Sequence, residues 1–408
     1  MINNDFYHRL KKICLITTGH IASDPRLVKE AASLIKAGFD VHIVFTQYVA
    51  PLIAYDRDLL AVHPNLSFDV LDWTKRTIRS RTVRFISGLK QKLAKTQLTK
   101  INRNYYWQTK KAIAIKADLY IAHNLGALPV AIKASKVNGA KCGFDAEDFH
   151  RHEYSNDPLD EAVRLKTSIE DTYIPQLDYM TAASPMIADR YTALYHIPVQ
   201  PILNVFPKTT LQVSVNETGP LKLFWFSQTI GGHRGLESVL EAAALVNIRM
   251  ELHLLGNPDH HFKNTLEQLL PKNAEFRLIY HGTIRPDDIF NLAGEFDIGL
   301  ATELSVPLNR DICLTNKIFT YIQCGLVVVA SATSAQRELL QNFPGAGHVY
   351  KDPIALANIL TDYHLNRKIL QETKEKNYLV GQQTLKWENE EIRFLKVIDA
   401  CINPMNVS

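Results

Sequence analysis

The stretch Asn309–Ser331, N-R-D-I-C-L-T-N-K-I-F-T-Y-I-Q-C-G-L-V-V-V-A-S, reads as a loop, one short helix and a buried strand. Thr315 is placed as the helix N-cap. Ile318, Phe319 and Ile322 fall at helical spacing for a core face, and Gly325 stands where a helix C-terminus takes a left-handed residue. Asn316, Lys317 and Thr320 then share the other face. If the helix points its N-terminus into a cleft, its unpaired backbone N–H groups and Lys317 together make a site for an anion such as a diphosphate. On these residues alone, one more amphipathic helix of an α/β domain is an equal reading.

Working back from this stretch, the chain alternates strand and helix. Expected strands at 221–227, 251–256, 276–280 and 298–301 are separated by helices at 236–246, about 262–270 and about 286–292. The first turn of this half, G-G-H-R, follows a strand and enters a helix, so Gly232 and Arg234 sit where a glycine-rich loop suits phosphate. Residues 207–220, polar and ending in Gly-Pro, have the composition of an interdomain linker.

The first half begins the same way. A short apolar run, Ile13–Thr18, leads through Gly19 and His20 to Asp24 and Pro25, the N-cap and first residue of a helix that stops at Gly38 before the strand 41–45. This β-α-β unit predicts a doubly wound parallel sheet. Only Gly19 of a G-x-G-x-x-G pattern is present, which argues against a nicotinamide or flavin enzyme. The strand 118–122 carries His123 and Asn124 to its C-terminal end, where open α/β sheets bind ligands. The next strand, 141–144, ends in Asp145, Glu147 and Asp148, which suit acid–base work or the capping of the following segment equally well. Helices at 161–176 and 185–195 flank a strand at 179–182, and 201–204 is the last strand. Asp56-Arg57-Asp58 has the spacing of a metal motif but follows no apolar strand, so it is read as loop charge and no metal is expected.

At 408 residues the chain exceeds one ordinary core, and two domains of roughly 200 residues are expected. Its 46% hydrophobic and 22% charged residues are those of a soluble globular protein. No apolar run approaches the roughly 20 residues that span a bilayer, and residues 1–12 hold no signal-type region, so a cytoplasmic location is expected. The five scattered cysteines predict neither a disulfide framework nor a zinc site.

Charge is unevenly distributed. Residues 1–206 carry 27 Lys and Arg against 20 Asp and Glu, whereas 207–408 carry 19 against 22. Between Lys75 and Lys116 there are 13 basic residues and no acidic one, with Phe85, Ile86, Leu89 and Leu93 on one helical face. Such a segment is either a solvated helix packed by its apolar side or a contact for anionic lipid or a lipid diphosphate, which would put the protein peripherally at the inner face of the plasma membrane. No nucleic-acid module is recognisable, and nucleic acid is not expected as a partner.

The motifs resemble those of retaining glycosyltransferases of family four. T-N-K-I-F-T-Y-I-Q-C-G-L-V-V-V-A is similar to that family's donor-site segment P-N-K-x-F-E-Y-x-x-x-G-x-P-V-V-A, with Asn316, Lys317, Phe319, Tyr321 and Gly325 matching. Thr315 stands for the proline, and Thr320 for the glutamate that in the family usually holds the nucleotide ribose. G-G-H-R-G-L-E-S-V-L-E-A resembles R-G-L-x-x-L-L-E-A, which implies that Arg234 binds the donor diphosphate; Lys317 and Arg310 would supply a second charge that the family carries just after the first strand. A-D-L-Y-I-A-H-N resembles A-D-V-V-H-A-H-D, which implies that His123 touches the donor sugar. T-T-G-H-I-A-S-D-P-R resembles T-S-x-x-x-x-S-D-P-R, which makes Gly19 and His20 candidates near the acceptor and the diphosphate.

The resemblance implies the GT-B fold, two Rossmann-like doubly wound domains facing across a cleft. Residues 1–206 would form the acceptor-side domain and 207–385 the nucleotide-sugar domain, with a last helix at about 386–408 crossing back onto the first. It also implies a hexosyl- or related transferase that moves a sugar with retention from a UDP-, GDP- or other NDP-sugar to a cell-surface glycan or lipid-linked acceptor, with no cofactor. His123, Arg234 and Lys317 are the catalytic candidates, and Gly19, His20, Gly232, Arg234, Asn316, Lys317 and Thr320 the donor-binding ones. A catalytically silent partner protein and a nucleotide-sugar epimerase stay open, the former because of Thr320.

Overall fold

A computed structural model describes residues 10–74, 96–272 and 275–403. The chain divides into two compact units, one running through Ile202 and taking in the tail from Glu391, the other Leu203–Glu390.

The first unit is built on seven parallel strands: β1 (Lys12–Ile16), β2 (Asp40–Gln47), β3 (Ser67–Asp72), β4 (Leu119–His123), β5 (Lys141–Ala146), β6 (Tyr179–Ala182) and β7 (Val199–Pro201), in the order β3-β2-β1-β4-β5-β6-β7. Ile13 pairs with Val41 on one side and Leu119 on the other, and all three are buried. Apolar runs such as I-C-L-I form strands here because helices cover both faces of a parallel sheet. The order of strands reverses between β1 and β4, which opens a crevice beyond their C-terminal ends. The helix Pro25–Lys36 leaves that end of β1, and the Asp24 carboxylate accepts from the Leu27 N–H at 3.0 Å to cap it. From Glu391 on, the tail helix Trp387–Ile402 is held within this unit by Lys36, 3.0 Å from Glu391, and by Lys11, whose Nζ donates to the Ile402 carbonyl at 3.1 Å.

Two expectations for this unit need correction. The last strand is Val199–Pro201 rather than 201–204: it is an edge strand, where a proline is tolerated, and beyond it the Leu203 N–H turns to the Glu390 carboxylate. Asp56 and Asp58 lie not in a loop but in the helix Leu52–Val62, with Asp56 fully buried because it accepts three hydrogen bonds inside the domain. Phe85, Ile86, Leu89 and Leu93 lie outside the described residues. In the described part of the basic segment, Lys100 pairs with Glu161 at 2.8 Å, Lys111 with Asp69 at 2.5 Å, and Arg103 covers the Trp73 ring.

The second unit repeats the plan with β8 (Leu221–Ile230), β9 (Met250–Pro258), β10 (Phe276–Gly282), β11 (Ile298–Ala301), β12 (Val327–Ser331) and β13 (Gly347–Tyr350), all parallel in the order β10-β9-β8-β11-β12-β13. Leu223 pairs with Leu252 and with Ile298, so β8 is central and the order reverses between β8 and β11. The stretch 203–220 is irregular and packs within this unit, where Tyr378 Oη donates to the Thr209 carbonyl at 3.1 Å and Thr209 Oγ1 to the Gln323 carbonyl at 3.2 Å.

The helix Asn316–Gln323 starts at Thr315, whose side chain makes no capping bond, and ends against Gly325 at φ +69°. The helix is closed in on its polar side as well, since every residue from Lys317 to Gln323 is buried. The reason is the helix Arg367–Gln383 packed over it: Gln323 Nε2 donates to the carbonyls of Gly381 at 2.8 Å and Leu385 at 2.9 Å. On the other side Tyr321 Oη reaches the Leu300 carbonyl at 3.1 Å, tying the helix to β11. All five cysteines are free thiols, and no helix among the described residues is long and apolar enough to cross a membrane.

Candidate active site

In each unit the candidate residues collect at the point where strand order reverses, so each unit has its own cluster.

In the second unit, β8 ends at Ile230 and the loop from Gly231 to Gly235 leads to the helix Leu236–Ala244. His233 and Gly235 have positive φ, +60° and +74°. At Gly235 a side chain is excluded outright, because a Cβ would lie 2.3 Å from the Thr302 carbonyl oxygen. Thr302, just beyond β11, fixes the loop a second way. Its hydroxyl accepts from Trp225 Nε1 at 3.1 Å and donates to the Arg234 carbonyl at 2.5 Å. Arg310 adds a third tie, its Nη1 donating to the His233 carbonyl at 2.5 Å. Gly232 and His233 are exposed, and among the described residues the Arg234 guanidinium makes no ion pair.

Next to this loop, Lys317 Nζ lies 2.5 Å from Glu303 Oε1 and 5.6 Å from the centre of the Trp225 ring. Burial pushes the Glu303 carboxyl up, but Lys317 above all, then Arg234 and Arg310, outweigh it and hold the carboxyl below its ordinary range. Three cations therefore act on one carboxylate, and the balance left over favours a polyanion. Asn316 Oδ1 accepts from Asn204 Nδ2 at 2.7 Å. Thr320 is 2% exposed and its hydroxyl makes no hydrogen bond among the described residues. Glu303 escaped sequence reasoning: A-T-E-L-S carries no spacing signal, and the residue matters only because β11 ends beside β8.

In the first unit, His123 closes β4 and is fully buried. Its Nε2 lies 3.3 Å from Glu30, and its Nδ1 lies 3.6 Å from Asp145 and 3.9 Å from Glu147. Arg26 grips Asp145 with Nε and with Nη2, the latter at 2.7 Å, and its Nε is 3.5 Å from Glu30. Although burial opposes it, Glu30 leads the carboxylates that hold the His123 imidazolium well above its ordinary pKa. Burial first, and then Glu147, push the Asp24 carboxyl up to about 8, while burial and Arg26 bring Lys29 down to about 7. Both His123 nitrogens and both Glu30 oxygens are buried without a hydrogen bond among the described residues. Asp24, His123 and Glu147 bring ligand atoms within 4.8 Å of one another, as do Glu30, His123 and Asp145. Arg26, in the same cluster, supplies the positive charge that a cation would otherwise bring.

Gly19 lies in the loop after β1, where a Cβ would lie 3.1 Å from Tyr48 Oη. His20 is turned inward. Its Nε2 accepts from the N–H groups of Tyr48 at 2.8 Å and Val49 at 2.9 Å, so its proton is on Nδ1, which donates to Asp56 at 2.6 Å. Asp56 also accepts from the Ala22 N–H and Gln47 Nε2. With both nitrogens used, His20 organises the loop after β1 and offers neither nitrogen to a ligand.

The sequence matches no described family and no curated protein. Solved structures do match over nearly the whole length. HepE of Anabaena in complex with UDP covers 96% of this chain and 100% of its own at 15% identity, with a TM-score of 0.69. A glycosyltransferase from Rickettsia africae covers 97% and 100% at 13% identity, TM-score 0.67. TarM of S. aureus, solved with fondaparinux, α-GlcNAc-glycerol and UDP, covers 97% and 100% at 10% identity, TM-score 0.64. The fold is GT-B. Each sheet of this GT-B chain places its cluster where such sheets bind ligands, at the strand C-termini around the reversal of order.

Proposed function

We propose that the chain is a retaining glycosyltransferase that moves a hexosyl or related sugar from a nucleoside-diphosphate sugar to a glycan or lipid-linked acceptor. One observation carries the reading: Lys317, Arg234 and Arg310 converge on Glu303 at the β8/β11 reversal, leaving an excess of fixed positive charge beside a glycine-bearing loop. That arrangement suits a diphosphate, which becomes more negative as it leaves, so the same charges bind the departing group more tightly than the intact donor. In the reaction the bond from sugar C1 to the phosphate oxygen breaks with its electron pair on the diphosphate. The acceptor oxygen bonds to C1 on the same face, and its proton passes to a phosphate oxygen. The His123 imidazolium, fully buried between Glu30 and Asp145, is proposed for the sugar from the motif resemblance alone.

The complexes of HepE with UDP and with UDP-glucose support a uridine nucleotide as the first donor to test. Thr320, buried and without a carboxylate, favours a second reading, a partner protein that binds no donor. Calorimetric titration with a panel of UDP, GDP, ADP, CDP and dTDP decides between them, since a transferase binds at least one and a silent partner none. Peripheral attachment to an anionic membrane is proposed from the charge of residues 75–116 alone. Co-sedimentation with anionic vesicles that is strong at low salt and lost at high salt is the expected result, and protein left in the supernatant at low salt removes it.

A further inference from the structure

Away from both clusters, the first unit holds a groove of about 570 Å³. One wall is a single face of the helix Glu161–Tyr173, where lining residues recur in adjacent pairs every four positions from Val163 and Arg164 to Asp171 and Thr172. The other wall is the segment after β5 that includes Arg151, His152 and Pro158. The volume is that of a small-molecule site, and none of its lining residues belongs to the His123 cluster.

The hydrogen-bond inventory selects the ligand. Ser168 Oγ already donates its proton to Gln97 Oε1 at 3.0 Å, and Thr172 Oγ1 donates to the Ser168 carbonyl at 2.6 Å, so both hydroxyls have only lone pairs to offer. His152 donates through Nδ1 to the Ser155 carbonyl at 3.1 Å. One oxygen of Asp171 takes bonds from Arg151 Nη2 and Tyr195 Oη at 2.6 and 2.7 Å, and the other remains available. Against these acceptors stands Arg164, a donor with no ion pair among the described residues. A phosphate meets the Asp171 carboxylate and the lone pairs of Ser168 and Thr172, while Arg151 is already neutralised by Glu170 and Asp171, and a metal cation meets the guanidinium of Arg164. A ligand that brings many O–H donors, oxygens for Arg164 and apolar C–H edges for Val163 and Pro158 matches these groups.

We infer that this groove binds a short neutral oligosaccharide. Its role is to hold the glycan of the acceptor apart from the reacting end; that role, unlike the binding itself, rests on the transferase reading. The same segment leaves Tyr154 74% exposed, with Lys166 Nζ 4.3 Å from its ring centre on one face and the other face suited to a further sugar ring.

The test is calorimetry on the full chain with maltohexaose, cellohexaose and chitohexaose, and with inorganic pyrophosphate as the anionic control. At least one hexasaccharide is expected to bind. Arg164→Ala should weaken it at least tenfold and Thr172→Trp, which fills the groove from an exposed position, should abolish it, while UDP affinity is unchanged in both. If no hexasaccharide binds the wild type, or if the variants bind it equally well, or if pyrophosphate competes it off in a manner lost in Arg164→Ala, the inference is overturned. Saccharide binding that depends on Arg164 in a chain that binds no nucleotide would keep the groove and remove the transferase reading. Nucleotide turnover with saccharide affinity indifferent to Arg164 would do the reverse.

Discussion

Lys317 Nζ and Glu303 Oε1 are 2.5 Å apart, with the two residues only 6% and 9% exposed, so a nearly buried ion pair occupies the place where the second unit gathers its positive charge. Glu303→Gln leaves that lysine buried without its counter-charge, and removing one partner of a buried pair costs about 3 kcal/mol. The same change removes the carboxylate on which these cations act, so a diphosphate should bind more tightly. The free variant is therefore expected to melt lower than wild type and to gain more from UDP. The sign with pH follows from the depressed carboxyl: its contribution is complete above its ordinary value of about 4.5 and is lost as pH falls through the folded value. Thermal melts should show the gap between wild type and variant closing only in acid, and a gap that widens there contradicts the pairing.

Lys317→Ala and Arg234→Ala attack the same charge from the other side. Each removes one charge-assisted contact to the diphosphate, worth about 1.5 to 3 kcal/mol, so turnover should drop roughly ten- to a hundredfold. Circular dichroism should be unchanged for Arg234→Ala, whose guanidinium holds no ion pair among the described residues. Wild-type rates in both variants would take the diphosphate away from this loop.

Thr302 sets the position of Arg234 without facing a ligand through any charge of its own. In Thr302→Val the Trp225 indole N–H loses its acceptor and the Arg234 carbonyl its donor, at a cost of about 1 to 3 kcal/mol for the buried group left unpaired. Nucleotide affinity should fall along with stability. Loss of stability with UDP affinity intact would show that the loop holds its shape through Gly235 and Arg310 alone.

What the sequence disclosed and what it hid follow the range of the interactions. Asp24, Pro25 and Gly325 announced their roles because capping is local, and the strands of β1, β4 and β12 were legible as apolar runs because parallel strands are buried on both faces. Glu303 and Asp56 were not legible. Glu303 meets Lys317 only through the pairing of β11 with β12, and Asp56, 36 residues from His20, looked like loop charge because nothing adjacent to it shows the histidine it caps. The burial of Gln323 was hidden for the same reason: the helix Arg367–Gln383 that covers it begins more than 40 residues away in sequence.

His123 gives a prediction in the opposite pH direction. Its folded pKa is raised well above 6.5, with Glu30 the strongest of the groups that raise it, so the stability it contributes is complete below about pH 6.5 and is lost as pH rises through the folded value. Imidazole resonances in a histidine-selective NMR titration should show His123 still protonated at neutral pH. Glu30→Gln should bring its titration down. A His123 that titrates near 6.5 in the wild type contradicts the cluster geometry.

Thr320 decides whether the ribose sits against the helix Asn316–Gln323. The side chain is 2% exposed, and its hydroxyl makes no hydrogen bond among the described residues, so Thr320→Val removes no internal contact and should change stability by less than about 1 kcal/mol. Thr320→Glu is different, because a carboxylate in that closed place must be desolvated and should lower the melting temperature. If a ribose diol docks there, UDP supplies the partner that the carboxylate lacks. Thr320→Glu should then be rescued by UDP more than by 2′-deoxy-UDP, while Thr320→Val should lose part of the wild-type preference for UDP over the deoxy form. Equal rescue by both nucleotides, together with an unaltered preference in Thr320→Val, would move the ribose off this helix and leave Lys317 as its only contribution to the donor.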